Sequence, residues 1–131
     1  MMIERLILAG RIRQELGELA RVIERAEASW HHFQTTGDDL YLDGVALNLH
    51  GFYTGLERVF ELIASEIDLG KPAGSSWHQE LLRQMSAEVP RVRPAVISPQ
   101  TRDRLDEYRG FRHVVRNVYT YNLDTERIQR L

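Results

Sequence analysis

Apolar side chains return every three or four residues over most of this chain, and nowhere alternate in twos for a useful length. A period near 3.6 puts them on one face of a helix, whereas a half-buried strand needs a period of two. From about Ile3 to His32 the repeat runs through Ile3, Leu6, Ile7, Ile12, Leu16, Leu19, Val22, Ile23 and Ala26, with charged residues filling the gaps. The spacing predicts one long amphipathic helix, weakened by about 1 kcal/mol at Gly10 and again at Gly17 relative to alanine. A second helix is predicted from about Leu40 to Ile67. Its apolar positions Val45, Leu49, Phe52, Leu56, Val59, Phe60 and Ile63 form a stripe wide enough for the centre of a bundle. Gly44, Gly51 and Gly55 sit at near-helical spacing and predict close approach of a neighbouring helix.

Between these helices Thr35-Thr-Gly-Asp-Asp39 is turn chemistry, with Asp38 or Asp39 as N-cap. Gly70-Lys-Pro-Ala-Gly-Ser-Ser76 reads as a loop. A short helix follows from about Trp77 to Glu88. Val89-Pro-Arg-Val-Arg-Pro94 is then expected to be extended, because proline disfavours helix in the residue before it. Ser98-Pro99 starts the next helix, with serine as cap and proline at the first helical position, and that helix should run to about Tyr119. Asn122-Leu-Asp124 would end it and cap a last helix beginning at Thr125, which reads as cut short or disordered at Leu131. The expected fold class is all-α: an antiparallel up-and-down bundle of about four to five helices, with residues 1–131 as one domain.

The chain is long enough for a single hydrophobic core. Its net charge of −2 conceals a local excess, since five arginines stand against three acids between Arg102 and Arg116. The absence of cysteine excludes disulfides, thiolate zinc sites and cysteine nucleophiles. Charges within the first five residues, with no long apolar run, argue against a signal peptide. No stretch approaches the roughly 20 apolar residues that span a bilayer. A soluble, cytoplasmic protein without membrane association is expected.

Chemistry concentrates in Arg109-Gly-Phe-Arg-His-Val-Val-Arg-Asn-Val-Tyr119. Read as a helix, it places Arg109, Arg112, His113, Arg116 and Asn117 at offsets 0, 3, 4, 7 and 8, on one face. Phe111, Val114, Val115 and Val118 fall on the opposite side. Adjacent like charges weaken a helix by roughly a few tenths of a kcal/mol each. An anion should therefore compensate, either acids elsewhere in the fold or a phosphate. Arginine's planar fork suits phosphate oxygens and keeps its proton, and a histidine beside it can move one near neutral pH. That is the minimum for metal-free RNA cleavage: the 2′-hydroxyl loses its proton, arginines hold the charge building on phosphorus, and the 5′-oxygen leaves. A basic binding face without chemistry would use the same side chains, and the spacing leaves both readings open.

Other candidates are weaker. His31 and His32 are adjacent and point about 100° apart, while Asp38, Asp39 and Asp43 lack calcium-loop spacing. Neither a metal nor a cofactor is expected. His50 reads as a hydrogen-bonded core histidine and His78 as a surface residue at a helix start. Glu57 would reach the basic stripe if its helix packs beside the one carrying Arg109; a plain surface ion pair is the alternative.

Leu40-Tyr-Leu-Asp-Gly-Val-Ala-Leu-Asn-Leu-His-Gly-Phe-Tyr-Thr-Gly-Leu-Glu57 and Tyr108-Arg-Gly-Phe-Arg-His-Val-Val-Arg-Asn-Val-Tyr119 resemble the HEPN superfamily. The nearest branch is the HepT-like ribonuclease toxins, encoded beside a minimal nucleotidyltransferase (MNT) antitoxin. The resemblance covers essentially the whole chain and is most specific over Tyr108–Tyr119. The family motif is an arginine, four to six residues, a histidine and, often, a tyrosine after one more residue. Arg112 matches the arginine and Tyr119 the tyrosine, but Asn117 holds the histidine's position. An amide does not transfer protons at useful pH, and His113 lies one turn earlier on the same face.

The resemblance implies a homodimer whose motif helices face each other, acting as a metal-independent endoribonuclease on RNA, with tRNA a known target class. Arg112 would bind and polarise the phosphate, His113 would handle the proton, and Asn117 would orient substrate or His113. Arg109 and Arg116 would hold flanking phosphates. The MNT partner would adenylylate Tyr119. The rival implication, favoured by Asn117, is a non-catalytic HEPN module that binds a nucleotidyltransferase.

Overall fold

In the computed structural model the described backbone covers residues 2–117 and 125–131, and the described side chains are those of residues 2–111 and 128–131. Five helices are present among them: α1 (Met2–Thr36), α2 (Leu40–Glu66), α3 (Trp77–Met85), α4 (Pro99–Asn117) and α5 (Thr125–Arg130). The protein is an all-α helical bundle. The expected elements are all there, and the longest two begin and end within a few residues of their expected limits. Asn122–Asp124 and Val118 lie outside the described residues.

The α1–α2 turn is short because each side closes itself. Gly37 adopts φ +70°, and its N–H bonds the carbonyl of Phe33 at 2.8 Å, a left-handed close that glycine makes without steric cost. Asp38 then accepts the N–H of Leu40 through its side chain at 3.0 Å, so it is the side chain that caps α2, while Asp39 contributes only backbone. The two long helices consequently lie antiparallel. Gly44 faces Ser29 and Gly55 faces Leu19, where an added methyl would sit 3.1 Å from Ser29 Oγ and 2.5 Å from Leu19 Cδ2. Gly51 differs from the sequence expectation: it looks into open space.

α2 is the axis of the molecule, with α1 on one side and α3, α4 and α5 on the other. Tyr53, Phe60 and Ala64 of α2 close a core with Leu81, Leu82 and Met85 of α3 and Leu105 of α4. Nearer its start, Leu42, Val45 and Ala46 enclose Phe111 of α4 and Ile128 of α5. Each such side chain removed from water stabilises the fold by roughly 1.5–3 kcal/mol. α4 runs antiparallel to α2, whereas α3 runs alongside the last turns of α2 in the same direction, its start bonded to Glu57 and its end to Asp68 and Gly70.

Three further expectations change. The single apolar stripe of α1 divides in two. Leu19 and Ala26, with Leu8, are buried against α2, while Ile3, Leu6, Ile7, Leu16 and Ile23 are exposed. α3 ends at Met85 rather than Glu88. Residues 89–94 also fold back rather than extend, with Val89 and Arg93 paired and Arg91 at φ +67°. The cause is Arg93, which is drawn inward to the Asp68 carboxylate through Nε and Nη2, both at 2.6 Å. The next helix starts as expected: Ser98 Oγ accepts the N–H of Thr101 at 3.1 Å, with Pro99 in the first helical position.

Candidate functional site

α4 is continuous from Pro99 to Asn117, so the backbone of Arg109, Arg112, His113, Arg116 and Asn117 has the helical repeat that the spacing argument needs. Of these five, only Arg109 has a described side chain. Arg112, His113, Arg116 and Asn117 lie outside the described side chains, and Tyr119 lies outside the described residues altogether. The inward line of the helix is fixed by Leu105 and Phe111, both buried, with Tyr108 half-buried between them. Val114 and Val115, expected to continue the apolar side, also fall outside the described side chains.

Arg109 is half-buried and donates from Nε to Asp106 Oδ1 at 2.7 Å, one turn back on the same helix. The anion that compensates this arginine is therefore local. Arg102, seven residues earlier, makes a longer contact to Asp103 at 3.4 Å and reaches Ser86 Oγ at 3.3 Å. Tyr108 donates its hydroxyl to the carbonyl of Leu131, tying α4 to the end of α5. Burial pushes the Tyr108 phenol up from its ordinary value; Arg104 opposes that shift and Glu107 adds to it.

Glu57 is buried, at 6% exposure. α2 and α4 do pack side by side, the condition on which its role at the site depends. Its Oε2 accepts from His78 Nδ1 at 2.6 Å. His78 is consequently half-buried and not the surface residue that its place at a helix start suggests. Trp77 packs on the imidazole with ring centroids 3.6 Å apart. The bonded Nδ1 fixes which ring nitrogen is left for other partners, a common way of orienting an imidazole. Two residues 21 apart with no shared motif gave no signal for this contact. His50 is half-buried on α2, and His32 stacks on Tyr41.

Two concavities border these residues. A polar cleft of about 330 Å³ separates α3 from α4, lined by Gln79, Arg83, Arg102, Asp103 and Asp106. It opens beside the Asp106–Arg109 pair. On the other side of α4, an apolar groove of about 230 Å³ is lined by Ile23, Trp30, Leu49, Phe52, Tyr108 and Leu131. Among the described residues no three histidine, aspartate or glutamate side chains converge as metal ligands would, and no helix is long and apolar enough to cross a membrane.

A protein-family model described as "HepT-like protein" matches residues 44–131, which include α3, α4, α5 and nearly all of α2. No curated protein and no solved structure matches the chain.

Proposed function

The chain belongs to the HepT-like protein family, and from that premise we propose that it is a metal-independent endoribonuclease toxin held in check by a minimal nucleotidyltransferase. The observation that carries this reading is the coincidence of the family match with α4. The matched region contains the whole arginine–histidine stretch, and the helix that bears it is unbroken through Asn117.

In this reading Arg112 binds and polarises the scissile phosphate, and Arg109 and Arg116 hold its neighbours. His113 takes the 2′-hydroxyl proton as that oxygen bonds to phosphorus, and returns it to the 5′-oxygen as the P–O5′ bond breaks, leaving a 2′,3′-cyclic phosphate and a 5′-hydroxyl; Asn117 orients either the substrate or His113. The arginines stabilise the extra negative charge on the pentacoordinate phosphorus more than that of the ground state, which is what lowers a barrier. Glu57 supports the stripe from α2. Two copies pair so that their motif helices form one RNA cleft, and tRNA is the first substrate class to test. Adenylylation of Tyr119 by the partner would place a negative phosphate at the mouth of that cleft, repelling RNA by charge and bulk.

A second reading is favoured by Asn117, which stands where the family motif has histidine. It makes the protein a non-cleaving module that binds RNA or the nucleotidyltransferase. One experiment separates the two: purified protein is incubated with total tRNA in EDTA, alongside Arg112→Ala, His113→Ala and Asn117→Ala. The nuclease reading expects cleavage by the wild type that Arg112→Ala and His113→Ala abolish. RNA retained in a gel shift but never cut would establish the binding module instead.

A further inference from the structure

α1 carries two apolar stripes, and the bundle uses one. Leu8, Leu19 and Ala26 are buried against α2. A second set, Met2, Leu6, Ala9, Leu16, Ala20 and Ile23, is spaced 4, 3, 7, 4 and 3, with Arg13 in the place that the seven-residue step skips. Alternating steps of four and three are the repeat of a helix seam that faces another helix. Its large members Met2, Leu6, Leu16 and Ile23 are 39–78% exposed. α2 is the element that packs on α1 among the described residues, so the seam lacks a partner helix among them. Exposed apolar side chains in a continuous line mark a contact surface more often than scattered ones do.

The charges on α1 say what kind of helix fits. Residues 2–13 hold three arginines against one glutamate, and residues 14–27 hold four glutamates against two arginines. From Arg5 to Glu27 none of these side chains forms an ion pair with a described residue. The helix is therefore positive in one half and negative in the other. Such a rod repels a parallel copy and attracts an antiparallel one.

We propose that this seam is a second interface between copies of the chain, separate from the pairing of the motif helices, with two α1 helices antiparallel about a two-fold axis near Gln14 and Glu15. In that register Leu6 comes level with Ile23 of the second copy and Ala9 with Ala20, and each contact occurs twice, as a two-fold requires. The alanine layers let the backbones approach closely. Arg13 comes level with Leu16, covering it with its methylene stem while the guanidinium stays in water. Ile23 also lines the apolar groove, so the start of the second copy's α1 reaches the rim of that groove. The pairing stands on α1 alone and holds whether or not the protein cuts RNA.

Site-directed crosslinking tests it cleanly, because the chain has no cysteine of its own. Carrying both Leu6→Cys and Ile23→Cys, the protein should form an interchain disulfide under mild oxidation. Leu6→Cys alone should not, since the two copies' positions would lie about 25 Å apart along the helix axes. Light scattering supplies the second arm: Leu6→Glu should halve the solution mass while circular dichroism stays unchanged, the side chain being exposed. A crosslink as efficient with Leu6→Cys alone, no crosslink at all, or a mass indifferent to Leu6→Glu would each overturn the proposal.

Discussion

Arg93 shows how one side chain can decide the path of a loop. All five of its N–H donors are used: two on Asp68, and the rest on the carbonyls of Gln84, Ala87 and Pro94. Asp68 also receives Gln84 at 2.8 Å. Both charges are removed from water, with side chains 8% and 5% exposed, so removing one strands the other. Arg93→Ala should cost roughly 3–5 kcal/mol, read as a lower urea midpoint with an unchanged slope. The hydrogen bond from Arg93 holds the Asp68 carboxyl below its ordinary value of 3.8; burial opposes that shift, and Gln84 and the arginine's charge reinforce it. A folded-state value depressed in this way gives stability that is present above pH 3.8 and lost as pH falls towards the folded value. Wild-type stability should thus fall below about pH 4, and Arg93→Ala should flatten that dependence. The sequence contains both residues, but nothing in their 25-residue separation announces a pair. The same is true of Glu57 and His78.

At the scale of elements, helix positions follow from periodicity and punctuation, while helix contacts depend on which face meets a neighbour. Gly44, Gly51 and Gly55 look alike in the sequence. In the bundle a methyl at Gly55 would press into buried Leu19, whereas one at Gly51 would meet nothing within 4 Å. Gly55→Ala should destabilise by about 1–3 kcal/mol through overpacking. Gly51→Ala should stabilise by up to about 1 kcal/mol, because alanine has less backbone freedom to lose on folding. Thermal unfolding of the two variants should move in opposite directions, and equal shifts would contradict the α1–α2 packing. α1 teaches the same lesson on a larger scale. Its apolar repeat identified a helix, yet one stripe had to be divided between a face buried against α2 and a face left largely exposed.

Across the whole molecule α5 closes the end of the bundle nearest the arginine–histidine stretch. Ile128 is 3% exposed among Leu42, Val45, Ala46 and Phe111, and the Leu131 carbonyl accepts from Tyr108. Ile128→Ala should cost about 2–5 kcal/mol. Hydrogen exchange should rise more around Phe111 than around Leu105, whose neighbours are α2 and α3. The sequence by itself determined that the chain is helical, where the long helices lie and how α4 is capped, because period, caps and prolines act within a few residues of themselves. It also carried the spacing from Arg109 to Asn117, since a helix converts separation along the chain directly into position on a face. The tertiary structure alone decided which glycines touch a neighbour and that Glu57 holds His78. It also decided that the 89–94 connection folds back onto Asp68. Those outcomes depend on distances between residues far apart in the chain, and burial turns them from weak surface contacts into contacts that are costly to break.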